Sequence, residues 1–171
     1  MSDTRQPEPT VQSAVERMMP SIASEMQDAM KGRVRCIVVT PERAVLDETA
    51  ELVILPMYDG EFGVLPGCAP VIGRLGAGEL RLKTGDNVKR YFVEAGFVQV
   101  RSNVITVLTS KAEEAAKITP EMASAAANEA EALPATNAVE RANKAKARDR
   151  AAGLKKVAGK NMATGVSTAH P

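Results

Sequence analysis

Between residues 33 and 109 the chain is a succession of short β-branched runs, each cut off by a turn residue before a helix could complete itself. Residues 33–40 (RVRCIVVT) stop at Pro41, and residues 49–55 stop at Pro56. Residues 79–84 run into the turn Gly85, Asp86, Asn87, which leads to residues 88–94. Gly96 precedes residues 97–101, and Ser102 with Asn103 turns into residues 104–109. Strands this short, spaced this closely and with no helix between them, predict antiparallel all-β structure, closed as a small sandwich or barrel. Leu80 and Leu82 fall on one side of their strand, as a half-buried strand requires. The stretch holding Phe62, Val64, Leu65, Val71, Ile72 and Leu75 is studded with glycine and proline and reads as irregular strand and loop.

After Ser110 the texture turns to alanine and charge, which favours helix. Thr119, Pro120 and Glu121 supply a cap, a first-turn proline and a first-turn acid, so a helix is predicted over 120–133. Pro134 ends it. Thr136 or Asn137 can cap a second helix reaching to about residue 156, and a short break between two helices predicts an antiparallel hairpin. Ahead of the strands, residues 11–30 carry a weak helical spacing of Val15, Met18, Met19, Ile22, Met26 and Met30, interrupted by Pro20. The expected organisation is therefore an extension over 1–32, partly helical or disordered, a β-sandwich over 33–110, a helical hairpin over 111–160 and a flexible tail over 161–171.

Charge and rare residues narrow the function classes. The 22 basic and 21 acidic residues leave a net charge of +1, so no global attraction to nucleic acid or to an anionic membrane arises. No run of ~20 apolar residues and no secretory leader is legible, and a water-soluble chain is expected. Cys36, Cys68 and His170 are the only cysteines and histidine. No zinc-binding spacing can be built from them, and a serine or cysteine triad would have to borrow a base from the chain's end. A small hydrolase is thereby argued against, whereas a free-standing adaptor using a basic helix remains open. Both cysteines lie in or beside apolar runs and read as small buried hydrophobes rather than a disulfide. The segment GLKKVAGK (residues 153–160) has the wrong spacing and no preceding strand for a phosphate loop, and Gly73, Gly76 and Gly78 fit turns rather than a dinucleotide fingerprint.

A specific set of motifs runs through the β region. IVVTPERAVLDE (residues 37–48) is followed by LVILP, then DGEFGVLPGCAPVIGRLGAGELRL (residues 59–82), then YFVEAGFVQVRSNVITVLTSKA (residues 91–112). This order, and above all GEFGVLPG closely followed by Ala69 and Pro70, resembles the epsilon subunit of the F-type ATP synthase, called delta in mitochondria. The resemblance implies a non-catalytic rotor part with no cofactor of its own. Its sandwich would bind the gamma subunit and rest on the ring of c subunits, and its helices would fold down or extend towards the alpha and beta catalytic subunits to restrain ATP hydrolysis. It further implies a peripheral place at the cytoplasmic side of a bacterial inner membrane, reached only through the complex, and support of proton-driven ATP synthesis.

Carried onto this sequence, the resemblance assigns Glu61, Phe62, Gly67 and Cys68 to the surface facing the c-ring. Cys68 stands where the family more often has histidine, which removes a titratable group from that contact. A second-helix face of Arg141, Lys144, Arg148 and Lys155, at offsets of three, seven and fourteen, would meet the acidic DELSEED segment of the beta subunit. Residues 138–160 hold eight basic and two acidic side chains. The family's ATP-binding pattern I/L-D-x-x-R-A is degraded here, with Thr119 in place of the acid and Met122 in place of the arginine, so nucleotide binding there is not expected. With nine alanines among residues 111–133, and each buried methyl worth under ~1 kcal/mol, docking of the first helix should be weak enough to permit two positions. Nucleic acid is not expected as a partner, because aromatic stacking groups are scarce.

Overall fold

The computed structural model describes residues 32–163. The helical spacing read over residues 11–30 and the end of the tail read from residue 164 lie outside the described residues.

The described residues form ten strands: β1 (Val34–Val39), β2 (Ala44–Ala50), β3 (Leu52–Met57), β4 (Gly60–Val64), β5 (Val71–Leu75), β6 (Gly78–Thr84), β7 (Asn87–Val93), β8 (Gly96–Arg101), β9 (Val104–Thr109) and β10 (Ala112–Glu114). A turn of 3-10 helix over Ala115–Lys117 leads to α1 (Pro120–Ala132) and α2 (Ala138–Ala163). The sheet order is β10-β7-β6-β3-β5-β8-β9-β1-β2, with β4 also on β3. Pairings are antiparallel except that of β1 with β9. The sheet closes over one core drawn from all its parts, including Val34, Leu46, Val53, Leu80, Val98 and Ile105. This is the antiparallel sandwich followed by a two-helix hairpin that the strand spacing predicts. Each fully buried Val, Leu or Ile contributes about 1.5–3 kcal/mol, which makes the sandwich the stable body of the molecule.

Four local readings need correction. The run read as one strand over 49–55 is the junction of two: at Glu51, whose N–H donates to Lys83 O at 2.9 Å, the chain leaves β2 and enters β3. Pro56 does not end β3. Its carbonyl accepts from Gly76 N at 2.9 Å, so its missing N–H faces the same side, where the β3–β6 ladder has already ended at Ile54. The stretch after Ser110 begins as strand despite its alanines, because the open edge of β7 offers a ladder to Ala112–Glu114. Finally, α2 runs beyond residue 156 to Ala163, since nothing stops it and its buried side continues through Val157 and Ala158.

The caps fall where the sequence places them. Thr119 Oγ accepts from Met122 N at 3.3 Å. Asn137 Oδ1 accepts from Glu140 N at 2.8 Å, an orphan donor of α2, while the Glu140 carboxylate reaches back to accept from Thr136 N just ahead of the helix.

A second, smaller core joins hairpin to sheet. Phe92, Ala115 and Ile118 meet Ala123 of α1 and Leu154, Val157 and Ala158 of α2. The residues of β6 explain this. Leu80 and Leu82 point into the sandwich, on the same side as Gly78, and Glu79 is buried as well because α2 covers the outer side of the strand. Gly153 marks the closest approach: a Cβ there would stand 2.6 Å from Ala77 O.

Candidate functional site

Three surfaces carry the chemistry. The first holds the residues of the DGEFGVLPGCAP motif. Glu61 and Phe62 begin β4, opposite Pro56 and Leu55, and Gly67 and Cys68 lie in the loop beyond its other end. The strand therefore separates the two pairs. Glu61 is half exposed and is bound by the guanidinium of Arg81 on β6. Phe62 and Cys68 are partly buried against the sandwich core. Gly67 takes φ of 81°, a left-handed conformation natural to glycine, and its N–H donates to Asn103 Oδ1 at 2.8 Å. Asn103, itself at φ 62°, thus ties this loop to the β8–β9 turn.

The second surface is the basic side of α2. In the docked hairpin its members are largely engaged. Arg148 makes a bidentate pair with Glu131 of α1, at 2.9 and 2.8 Å, and holds that carboxylate below its ordinary range. Lys144 donates to Glu131 O at 2.7 Å and Leu133 O at 3.0 Å, capping the carbonyl end of α1. Arg141 donates to Thr136 O at 3.2 Å. Lys155 is exposed, on the groove between the helices that Arg148 also lines. Three of the four cations read from helical spacing thus hold the hairpin together at its turn end.

The third surface was not legible as a site. On the outer face of β5, β8 and β9, Phe97 stands opposite Leu108 and beside Arg74, with Ile72 two residues from Arg74 on the same face. Ile72 is 78% exposed, Phe97 58% and Leu108 53%. Tyr58, also exposed, lies beneath the Arg74 guanidinium at 4.9 Å. The signal available in the sequence was a strand with apolar residues at both parities, as in Val71, Ile72 and Phe97, Val98. Such a run reads equally as a fully buried strand, so the face towards solvent goes unnoticed.

The thiols differ. Cys36 is fully buried on β1, and burial first, with Asp47 and Glu48 nearby, pushes its pKa up to about 12. Cys68 is partly accessible. No helix among the described residues is long and apolar enough to cross a membrane.

The sequence model of the "ATP synthase, Delta/Epsilon chain, beta-sandwich domain" matches residues 33–115. An ATP synthase epsilon chain from Rhodopirellula baltica is 58% identical over 79 residues, which cover 46% of this chain and 62% of that relative. One from Syntrophobacter fumaroxidans is 37% identical over 102 residues, or 60% of this chain and 76% of the relative. Among solved structures, a chain of the Euglena gracilis mitochondrial ATP synthase (OSCP/F1/c-ring) superposes with a TM-score of 0.64 at 22% identity, covering 73% of this chain and 81% of that one. A chain of the Tetrahymena thermophila mitochondrial ATP synthase central stalk and c-ring gives 0.59 at 9% identity, covering 73% and 96%. At those identities the superpositions establish the shared fold.

Proposed function

The chain belongs to the ATP synthase epsilon family, and from that membership we propose that it is a non-catalytic central-stalk subunit of an F-type ATP synthase, coupling c-ring rotation to the gamma subunit. The observation that carries this reading is the apolar outer face of Ile72, Phe97 and Leu108, flanked by Tyr58 and Arg74. Paired large apolar side chains left in water on a stiff sheet suit a permanent partner surface. Gamma docks there.

The c-ring meets the body through Glu61, Phe62, Gly67 and Cys68. Glu61 shares its carboxylate between Arg81 and the ring loops, so Arg81 orients it for the contact. The body itself does no chemistry; it transmits torque, which requires that its packed core not yield. In a bacterial cell the whole would sit peripherally on the cytoplasmic side of the inner membrane.

The hairpin restrains ATP hydrolysis by extending towards the alpha and beta subunits. In the docked state Glu131 neutralises Arg148 and the α1 carbonyls occupy Lys144. An acidic segment of a catalytic subunit therefore competes with contacts inside the hairpin, and opening α1 from α2 frees the basic side of α2 to meet it.

Two experiments test this. A tagged chain expressed in its own cells should bring down gamma and the catalytic subunits; recovery of the chain without them would refute the assignment. Removing residues from Thr119 onward spares β10 and the sandwich, and should raise ATP hydrolysis by the assembled enzyme. A cut from Glu113 would also disrupt the pairing of β10 with β7.

A further inference from the structure

Glu79 is a polar side chain in an apolar setting. Its side chain is 4% exposed, on the outer side of β6 beneath α2. Three cations surround it. Oε1 accepts from Arg90 Nε on β7, Oε2 accepts from Lys160 Nζ on α2 at 2.7 Å, and Arg81 Nε lies 3.8 Å from Oε2. The strand register makes the carboxylate necessary, because Arg81 and Arg90 stand directly opposite each other. Like charges in that position repel unless an anion lies between them.

The members differ sharply in exposure. The Arg90 side chain is 19% exposed and the Lys160 side chain 46%. If α2 leaves, Glu79 keeps Arg90, and water takes up the Lys160 ammonium. The receptor survives release intact, so the contact can be made and broken repeatedly without stranding a buried charge. Two further polar contacts lie on the same helix: Arg150 Nε is 2.6 Å from Glu94 Oε1, and Asn161 Nδ2 donates to the carbonyls of Ala115 and Ile118. Between them, α2 offers the sheet mainly alanine, with Leu154 and Val157 as its larger apolar anchors. Such a seam leaves a single charge contact able to change the balance between docked and released states.

We propose that Glu79 is the fixed receptor, and Lys160 the releasable bolt, of a charge latch that sets how much of the time the hairpin stays docked on the sandwich. It deepens the regulatory reading above by naming what holds the arm down, and only its enzymatic consequence depends on that reading.

The test uses the full chain. In Lys160→Gln the Glu79–Arg90 pair remains, so the sandwich should keep its fold. Amide hydrogen exchange over residues 150–161 should rise at least tenfold while β1 and β9 are unchanged. Raising the salt concentration should speed exchange of the same segment in the wild-type chain but add little in the variant. The control, Lys156→Gln, should behave as wild type. Unchanged exchange in Lys160→Gln, or an equal rise in Lys156→Gln, would overturn the latch. In the reconstituted ATP synthase, Lys160→Gln should lower ATP hydrolysis by favouring the extended arm. Faster exchange with unaltered hydrolysis would uphold the latch and refute the inhibitory role of the hairpin.

Discussion

Glu79 shows how one buried residue ties charge to conformation. Burial alone would raise its pKa, but the hydrogen bonds from Lys160 and Arg90 outweigh this and bring it below the ordinary carboxylate range. A carboxylate with a lowered folded pKa stabilises the fold at all pH values above its unfolded pKa and loses that contribution as pH falls through the folded one. Hairpin stability should therefore be level from neutral pH down to the usual carboxylate range near ~4.3 and decline below it. Arg90, Lys160 and Arg81 are the charged groups facing it. Thermal unfolding followed by helical circular dichroism should show this, with a smaller total decline in Lys160→Gln, where one lowering partner is gone and the folded pKa lies nearer the unfolded one. Stabilisation on acidification would contradict it. The cysteines offer a second residue-scale check: a thiol reagent near pH 8 should modify Cys68 in the native chain and reach Cys36 only after unfolding. Cys36 was legible as a small buried hydrophobe because it sits in phase with Val34 and Val38. Glu79 was not, since a strand position with its parity normally faces water, and only the helix that covers it makes it an interior group.

At the scale of elements, the sequence spoke most clearly where a local rule acts alone. Thr119 and Asn137 cap the helices because their side chains reach backbone donors within the same turn. It spoke less clearly where a partner decides. Ala112–Glu114 has helical composition but takes the edge of β7, and β2, with its Asp47-Glu48 pair, has no apolar alternation strong enough to announce itself. The seam between α2 and the sheet rests on glycine at one point. Gly153→Ala gains about 1 kcal/mol of helix propensity but drives a methyl into the carbonyl of Ala77, so the helix must move away. Gly159, on the exposed side of the same helix, meets nothing within 4 Å. Gly159→Ala should raise the hairpin's thermal stability and Gly153→Ala should lower it; equal and favourable effects would show that α2 does not bear on Ala77 in solution.

For the whole molecule, the sandwich and the hairpin followed from turn spacing and caps, while the number of strands and the candidate surfaces emerged only from the fold. The motif proposed to meet the c-ring is divided between the two ends of β4, the basic side of α2 is largely spent inside the hairpin, and the apolar outer face needs the register of β5, β8 and β9 to bring Ile72, Phe97 and Leu108 together. That last face bears the central claim, that a rigid sandwich is fastened to the turning shaft. The direct measurement is ATP synthesis by membranes from cells whose only copy of this chain carries Ile72→Asp and Phe97→Asp. Both side chains already face solvent, so the isolated variant should fold with unchanged thermal stability. The account predicts that the variant is lost from the purified enzyme and that ATP synthesis falls at least tenfold. A correctly folded variant that still assembles and supports synthesis at the wild-type rate would contradict it.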